Sequence, residues 1–340
     1  MTENKAKIAI SIGDLNGIGV EIALKCHEKI SKICQPIYCI NNKMLEKASD
    51  KLKIEIPKDF ELFETKGEFE IKEGTVSKKA GKYSYDSFMD AINLADKKKV
   101  DAICTLPINK ESWNKADIKY KGHTEVLRDY FGKNAIMMLG CKKMFVGLFT
   151  EHIPLKKVAK KVNEEDLTKF LIDFYKNVKS DNIGVLGLNP HASDNGVLGD
   201  EEVEIFKAIK KANKHLEKNI FKGPLVPDTA FSPLSRKNYK YFVAMYHDQG
   251  LAPFKTIGYE EGVNYTAGLP FIRTSPDHGT AYDIAGKNLA DAHSFSEAIF
   301  TAIKIFKNRT EYQELTKNPL KPKVFANDNG IDEDLPEENE

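Results

Sequence analysis

Arginine is scarce in this chain: Arg128, Arg236, Arg273 and Arg309 are four among 51 basic residues. Lysine supplies the ordinary surface charge, so an arginine inside a polar, glycine-rich motif asks for a reason, and bidentate anion binding is that reason for Arg273. Charge of one sign is missing as well. The 51 basic residues face 50 acids, for a net charge of +1, which excludes bulk electrostatic recruitment to nucleic acid or an anionic membrane. No apolar run reaches the roughly 18 residues of a membrane span, and the polar start Met1–Lys7 lacks a secretory core; the expected location is the cytoplasm. Cys26, Cys34, Cys39, Cys104 and Cys141 are odd in number and show no C-x-x-C spacing, so they read as small core residues. Also absent are G-x-G-x-x-G and a Walker loop, which removes the two commonest nucleotide signatures.

What is present is a chain of 340 residues, 41% hydrophobic, long enough to bury a core without disulfides. Strand-like runs at Ile8–Ile12, Pro36–Ile40, Val100–Thr105, Ala135–Leu139, Met144–Phe149, Ile183–Leu188 and Tyr241–Met245 alternate with helical patterns near Gly19–Ile30, Ser84–Lys97, Glu164–Lys179, Asp200–Lys214 and His293–Phe306. That alternation predicts an α/β architecture with a largely parallel sheet. Lys51–Gly81, rich in lysine and glutamate with weak periodicity, reads as a peripheral excursion. Asn327–Glu340 holds seven acids in fourteen residues and reads as a solvated, mobile tail.

The most informative stretch is Tyr246-His247-Asp248-Gln249-Gly250, which follows an apolar run. His247 and Asp248 are expected where a buried strand gives way to a loop, at the carboxyl end where α/β sheets gather ligands. An isolated His-Asp pair would more simply start the next helix. His152 and His191, however, stand just past two other apolar runs. Three histidines with this placement favour a divalent-metal site with positions left open for substrate oxygens. Lys255, Asn264 and Arg273 follow at intervals of nine among glycines, a set of two cations and an amide suited to a phosphate or carboxylate. Gly122-His123-Thr124-Glu125 opens a helix: Thr124 suits the cap and Glu125 the positive end of the dipole, while His123 beside free N–H groups suits an anion. Both readings of that motif stand. Gly13-Asp14-Leu15-Asn16-Gly17-Ile18-Gly19 turns a strand into a helix, either as a plain turn or as a loose phosphate cradle, with Asp14 facing the cleft. His278–Lys287 carries helix-start chemistry and small residues that let a flat ligand approach backbone.

These motifs together resemble the 4-hydroxythreonine-4-phosphate dehydrogenase family of pyridoxal-phosphate biosynthesis, from about Lys7 to about Lys307. Gly122–Glu125, Leu188–Ala192, Tyr246–Gly250 and Gly268–Thr280 carry the resemblance most specifically. His278–Lys287 is also similar to the adenine-side loop of isopropylmalate and isocitrate dehydrogenases, a fold that binds NAD without a Rossmann fingerprint. The resemblance implies two α/β/α domains with mixed, largely parallel sheets around a cleft: 1–118 plus 275–340 on the cofactor side, and 119–274 on the metal and substrate side with the dimer contacts. It implies His152, His191 and His247 as ligands of zinc, cobalt or magnesium, shared between the subunits of a homodimer, and His123, Thr124, Lys255, Asn264 and Arg273 as substrate-binding residues. NAD, with NADP as the alternative, would lie against Asp14, His278, Gly279, Thr280, Asp283, Ile284, Ala285, Gly286 and Lys287. The implied reaction is oxidation of 4-phosphohydroxy-L-threonine at its secondary hydroxyl, then decarboxylation to 3-amino-2-oxopropyl phosphate. Asp248 and Asp228, with His123, are the candidates for acid-base work.

The chain departs from the family pattern in two places. Leu15, Asn16 and Val20 replace Pro, Ala and Pro of the first motif, and Ser193, Asp194 and Asn195 stand where Gly-Glu-Gly is usual. A metal-free acyltransferase of the phosphotransacetylase type and a non-enzymatic phospho-metabolite sensor are the competing classes.

Overall fold

The apolar run at the start forms β1 (Ala6–Ser11), which passes through the Gly13–Gly19 turn into α1 (Gly19–Ser31). A computed structural model describes residues 5–132, 135–258 and 261–318; the acidic stretch Asn327–Glu340 lies outside them. The chain continues through β2 (Cys34–Cys39), α2 (Asn42–Leu52), β3 (Glu61–Phe63), α3 (Lys78–Asp96), β4 (Ala102–Thr105), α4 (Lys110–Lys115), α5 (His123–Phe131), β5 (Ile136–Gly140) and β6 (Phe145–Leu148). It ends with α6 (Glu164–Val178), β7 (Ile183–Leu186), α7 (Glu201–His215), β8 (Phe221–Leu225), α8 (Pro233–Asn238), β9 (Tyr241–Ala244), α9 (His247–Gly258), β10 (Val263–Ala267), β11 (Ile272–Pro276) and α10 (His293–Thr316). Several helices start on the polar caps their sequences offer: the side chains of Asn41, Ser77, Asn109 and Asn163 each accept a backbone N–H of the first turn, satisfying one of its orphan donors.

The strands form one 11-stranded sheet in the order β3-β2-β1-β4-β11-β10-β5-β6-β9-β7-β8. All neighbours are parallel except β11–β10, β10–β5 and β5–β6. Ile8 and Ile10 of β1 enter one apolar layer with α1 and α10, while Ala9 and Ile103 enter another with Phe88, Ile92 and Trp113. Helices thus cover both faces, which is why these strands read as continuous apolar runs rather than alternating ones. The described residues up to Phe306 make one compact unit, and the end of α10 from Lys307 belongs to a second. Strands β3, β2, β1 and β4 come from the segment 1–118 and β10, β5, β6, β9, β7 and β8 from 119–274, with β11 spanning the 274/275 junction.

Every strand expected from the sequence is present, with shifted ends. The structure adds β3, β8, β10 and β11. The Lys51–Gly81 excursion is partly regular: it holds edge strand β3, paired in parallel with β2, and the start of α3. His247 and Asp248 do not enter a loop but open α9 directly. Gly250 and Pro253 argue against a helix by propensity. Burial of Gly250, Leu251, Phe254 and Gly258 decides otherwise: a Cβ on Gly250 would lie 2.7 Å from Val146 and one on Gly258 2.8 Å from Cys141, so the glycines let α9 pack tightly on the sheet.

Candidate active site

Arg273 sits in β11 with 2% of its surface exposed. Its Nη1 donates to Thr266 Oγ1 at 3.0 Å and its Nη2 to Thr105 Oγ1 at 2.6 Å; Nε is buried without a partner. No carboxylate pairs with it among the described residues, and burial pulls its pKa down to about 10. Two threonines from the neighbouring strands β10 and β4 therefore aim a cation that no carboxylate among the described residues answers. An unpaired charge away from water costs several kcal/mol, so the arrangement is one an incoming anion stabilises. His123, the first residue of α5, stands by it with Nε2 buried and unpartnered, its ring held edge-on to Phe88 and Trp113 at 4.5 and 5.7 Å between centroids. Burial, then the Arg273 charge, hold its pKa well below the usual histidine value, so the ring is neutral. Asn264 Oδ1, on β10, is a third orphaned buried atom. Lys255, in the last turn of α9, pairs with Asp277, whose backbone N–H in turn donates to Ser294 Oγ at 3.1 Å.

Thr124 occupies the second position of α5 rather than its cap. Gly122 is the cap residue and supplies no side-chain bond; Glu125 instead reaches back to accept Lys121 N–H at 2.7 Å. That leaves the start of this helix with donors unsatisfied by a cap side chain, beside His123.

The turn after β1 lies against the loop after β11. Ile18 N–H donates to Thr280 O at 3.1 Å, and a Cβ on Gly17 would fall 2.8 Å from that same oxygen. Gly13 has φ of +72°, and a side chain there would strike the Pro107 carbonyl. These glycines serve contact between segments of the chain, which accounts for them without a phosphate cradle. Asp14 is fully buried; its carboxylate accepts Asn16 N–H at 2.9 Å and the Tyr282 hydroxyl at 2.9 Å, and burial raises its pKa despite those donors. Within the loop His278 Nε2 is buried and unpartnered, while Gly279 faces open space. Asp283, Gly286 and Lys287 are exposed, Thr280 and Ile284 half-buried and Ala285 buried. An orphaned donor or acceptor next to backbone that a flat ligand can approach fits an adenine nucleotide.

His152, His191 and His247 follow β6, β7 and β9, which are adjacent and parallel in the order β6-β9-β7. The His152 and His247 rings lie 5.4 Å apart between centroids. His247 Nδ1 is 2.7 Å from Asp248 Oδ1, which leaves Nε2 as the nitrogen able to ligate, the carboxylate–histidine arrangement that orients a metal ligand. Burial lowers the pKa of His152, favouring the neutral, ligating form. Next to it, Glu151 is clamped by Arg128 of α5 and accepts Met137 N–H at 3.3 Å. His191 is exposed in a left-handed turn, with φ positive from His191 through Asn195. Glu202 anchors this turn, accepting Leu188 N–H at 2.8 Å and Asn189 N–H at 2.7 Å. The donor chemistry fits a divalent ion. Yet no three such groups within one chain's described residues cluster closely enough to hold one. Asp228 is exposed in the turn after β8, whose carboxyl end lies alongside those of β7, β9 and β6.

Strand direction separates the two groups. β4 and β11 are parallel, and the antiparallel steps through β10 and β5 make β6, β9, β7 and β8 run the other way. Arg273, His123, Lys255 and the 278–287 loop gather where β1, β4 and β11 end; the histidines gather where β6, β9 and β7 end. The sequence grouped the histidines but gave no sign of this separation, because direction depends on strands β10 and β11. It also missed Thr105, Thr266, Asp277 and Tyr282, whose only signal is a polar residue at a strand end or beside a motif.

Buried, unpaired polar groups gathered at one edge of a large, mostly parallel α/β sheet mark an α/β metabolic enzyme. The chain belongs to the family described as pyridoxal phosphate biosynthetic protein PdxA, which matches residues 32–302. It is 56% identical over 302 residues, covering 89% of this chain and 98% of its relative, to a 4-hydroxythreonine-4-phosphate dehydrogenase of Sulfurimonas denitrificans. Crystal structures of proteins of that name superpose with TM-scores of 0.79 for Klebsiella pneumoniae (30% identity, 90% and 99% of the two chains) and 0.76 for Burkholderia phymatum (33% identity, 88% and 98%). The relatives are oxidoreductases by name. Among the described residues, no helix is long and apolar enough to cross a membrane.

Proposed function

We propose that this chain catalyses NAD-dependent oxidation of 4-phosphohydroxy-L-threonine at its secondary hydroxyl, followed by loss of CO2 to give 3-amino-2-oxopropyl phosphate, as a cytoplasmic homodimer. Arg273 carries the reading: a buried guanidinium, aimed by two threonines and unanswered by any carboxylate among the described residues, is built for a substrate phosphate. When bound, a divalent ion supplies Lewis-acid polarisation of hydroxyl and carboxylate oxygens, and NAD, with NADP as the alternative, supplies the hydride acceptor.

The protein's own residues do the rest. Arg273, Lys255, Asn264 and the start of α5 with His123 and Thr124 bind and orient the phosphorylated end. Asp277 keeps the Lys255 ammonium in place until an anion arrives. His123, neutral and enclosed, is an acid-base candidate alongside Asp248 and Asp228. Asp248 fixes the His247 ring, and Asp228 stands at the same strand ends as a further acid-base candidate. His152, His191 and His247 would hold the ion, and Asp14 with the 278–287 loop would take the cofactor. The segments 1–118 plus 275–340 and 119–274 divide these tasks.

The same geometry supports the homodimer reading. The substrate and metal candidates lie at opposite strand ends of one chain, so a site containing both would draw on groups from two copies. Val197, Leu198, Val203 and Phe206 beside the His191 turn leave 45–77% of their surface exposed, an apolar patch suited to such a contact.

The test is NADH formation from purified protein, 4-phosphohydroxy-L-threonine and NAD, with chelation and metal add-back. Turnover abolished by chelation and restored by metal is expected. Binding of the substrate by a folded dimer with no turnover under any metal would favour the sensor reading, and CoA-dependent acyl transfer the phosphotransacetylase one.

A further inference from the structure

The 278–287 loop is held by a continuous set of hydrogen bonds that begins three segments away. Asn16 is fully buried, and each of its polar groups is used. Its Nδ2 donates to Thr75 O at 2.8 Å, its Oδ1 accepts Lys72 N–H at 2.9 Å and its carbonyl accepts Gly74 N–H at 2.8 Å. Its own N–H goes to Asp14 Oδ1, and Asp14 Oδ2 takes the Tyr282 hydroxyl, which also stands 3.4 Å from Ser112 Oγ. The 72–75 strap, the turn after β1 and the loop are thereby joined through two side chains of one carboxylate's neighbourhood. Glycines sit at the closest approaches: a Cβ on Gly74 would lie 2.8 Å from Tyr282 O, and one on Gly286 2.8 Å from Glu73 Cγ, and both residues have positive φ.

We propose that Asn16 and Tyr282 are positioning residues that hold the 278–287 loop in its nucleotide-receiving conformation before any dinucleotide binds. This rests on the reading that the loop takes NAD. Asn16 replaces an alanine of the resembled motif, and Leu15 and Val20 replace its prolines, so in this chain buried hydrogen bonds do what proline stiffness would otherwise do. A loop already in its binding geometry spares the ligand the cost of ordering it. If the loop instead samples other conformations, the apparent affinity falls by the fraction that is competent.

The experiment measures amide hydrogen exchange of the loop, with and without NAD, and NAD affinity by calorimetry, on full-length wild type, Asn16→Ala and Tyr282→Phe. Inorganic phosphate serves as the probe of the Arg273 pocket. In the variants without NAD, exchange from Thr280 to Lys287 is expected to quicken and the NAD Kd to rise by about tenfold, the size of one buried hydrogen-bond group left unpaired. Phosphate affinity stays within about twofold, since the clasp does not touch that pocket. Tyr282→Phe removes a single oxygen and keeps the test open should Asn16→Ala fail to fold. A lowered melting temperature with loop exchange and NAD Kd unchanged overturns the proposal, leaving a merely structural network. NAD that fails to protect the wild-type loop overturns instead the reading on which it rests.

Discussion

At the end where β1, β4 and β11 finish, the polar groups are enclosed and mostly committed. Arg273 is gripped by Thr105 and Thr266, Lys255 by Asp277, and Asp14 by Asn16 and Tyr282; side-chain atoms of His123, Asn264 and His278 are buried there without a partner. At the end where β6, β9 and β7 finish, the groups are more open to solvent, His247 being half-buried. His191 is exposed and Asp248 has 83% of its side chain accessible. An enclosed pocket can fix a charge at a definite place, because low dielectric strengthens its few bonds and rotamers are locked by packing. An exposed set of imidazoles has no such wall, so its geometry must come from something laid over it. On the proposed reading, one chain would build the anion pocket fully and the metal site only in part.

The largest effect follows from that incompleteness. His247→Ala and Arg273→Met should each lose nearly all turnover as homodimers. Co-expressed, they should recover roughly a quarter of wild-type activity: half of randomly paired dimers are mixed, and a two-fold mixed dimer keeps one intact site of its two. Measured on the tagged, separated mixed dimer, the recovery should approach half. No recovery would mean each chain completes its own site, and the comparison between the two strand ends would lose its functional content.

The fold was legible where packing and sequence pattern agree. Ile8, Ile10, Ile183 and Val185 are fully buried, and their runs announce strands between helices. Strands β10 and β11 were not legible because polar residues interrupt them: Asn264, Thr266, Arg273 and Thr274 occupy positions that an apolar core would give to valine. α9 was hidden for a related reason, its glycines being needed for close contact with β6 and β9. The histidine set could be read because each member follows an apolar run. Asn16 could not, since its value lies in bonds to Lys72 and Thr75, more than fifty residues away.

A smaller effect sharpens the exposed end. Asp248→Asn keeps the shape but weakens the hold on His247 Nδ1, and loss of such an outer partner typically lowers metal affinity about 10- to 100-fold. Titration of the stripped dimer with zinc against a competing chelator reads this directly. Asp228→Asn, in the turn after β8, should leave that affinity alone.

The enclosed end can be tested by pH. The folded pKa of His123 is depressed, by burial first and Arg273 second, whereas the unfolded chain takes the ordinary value of about 6.5. On acidification the unfolded state therefore binds the proton first. Stability from keeping this ring neutral is fully present above about pH 6.5 and is lost as pH falls from there toward the folded pKa. His123→Gln should flatten that part of the urea-midpoint profile. Arg273→Met, by removing the repelling charge, should raise the His123 pKa seen by NMR; no movement would place Arg273 too far away to share an anion with it.

Ser193→Gly should do least, because two effects oppose. Ser193 is held at φ +71°, where glycine relieves strain worth about 0.5–1 kcal/mol. The same change removes a buried hydroxyl that donates to Gly199 O and accepts Gly196 N–H at 2.9 Å, and a hydrogen bond of this kind contributes about 0.5–1.5 kcal/mol net. With two such bonds lost against that relief, urea unfolding should show a net loss on the order of 1 kcal/mol. A clear loss would show that the hydroxyl knot holds the His191 turn together, making this chain's departure from the glycine of its family a working part of the exposed end. A clear gain would show a turn strained by its side chain, and zinc affinity measured alongside would tell whether that strain serves the placement of His191.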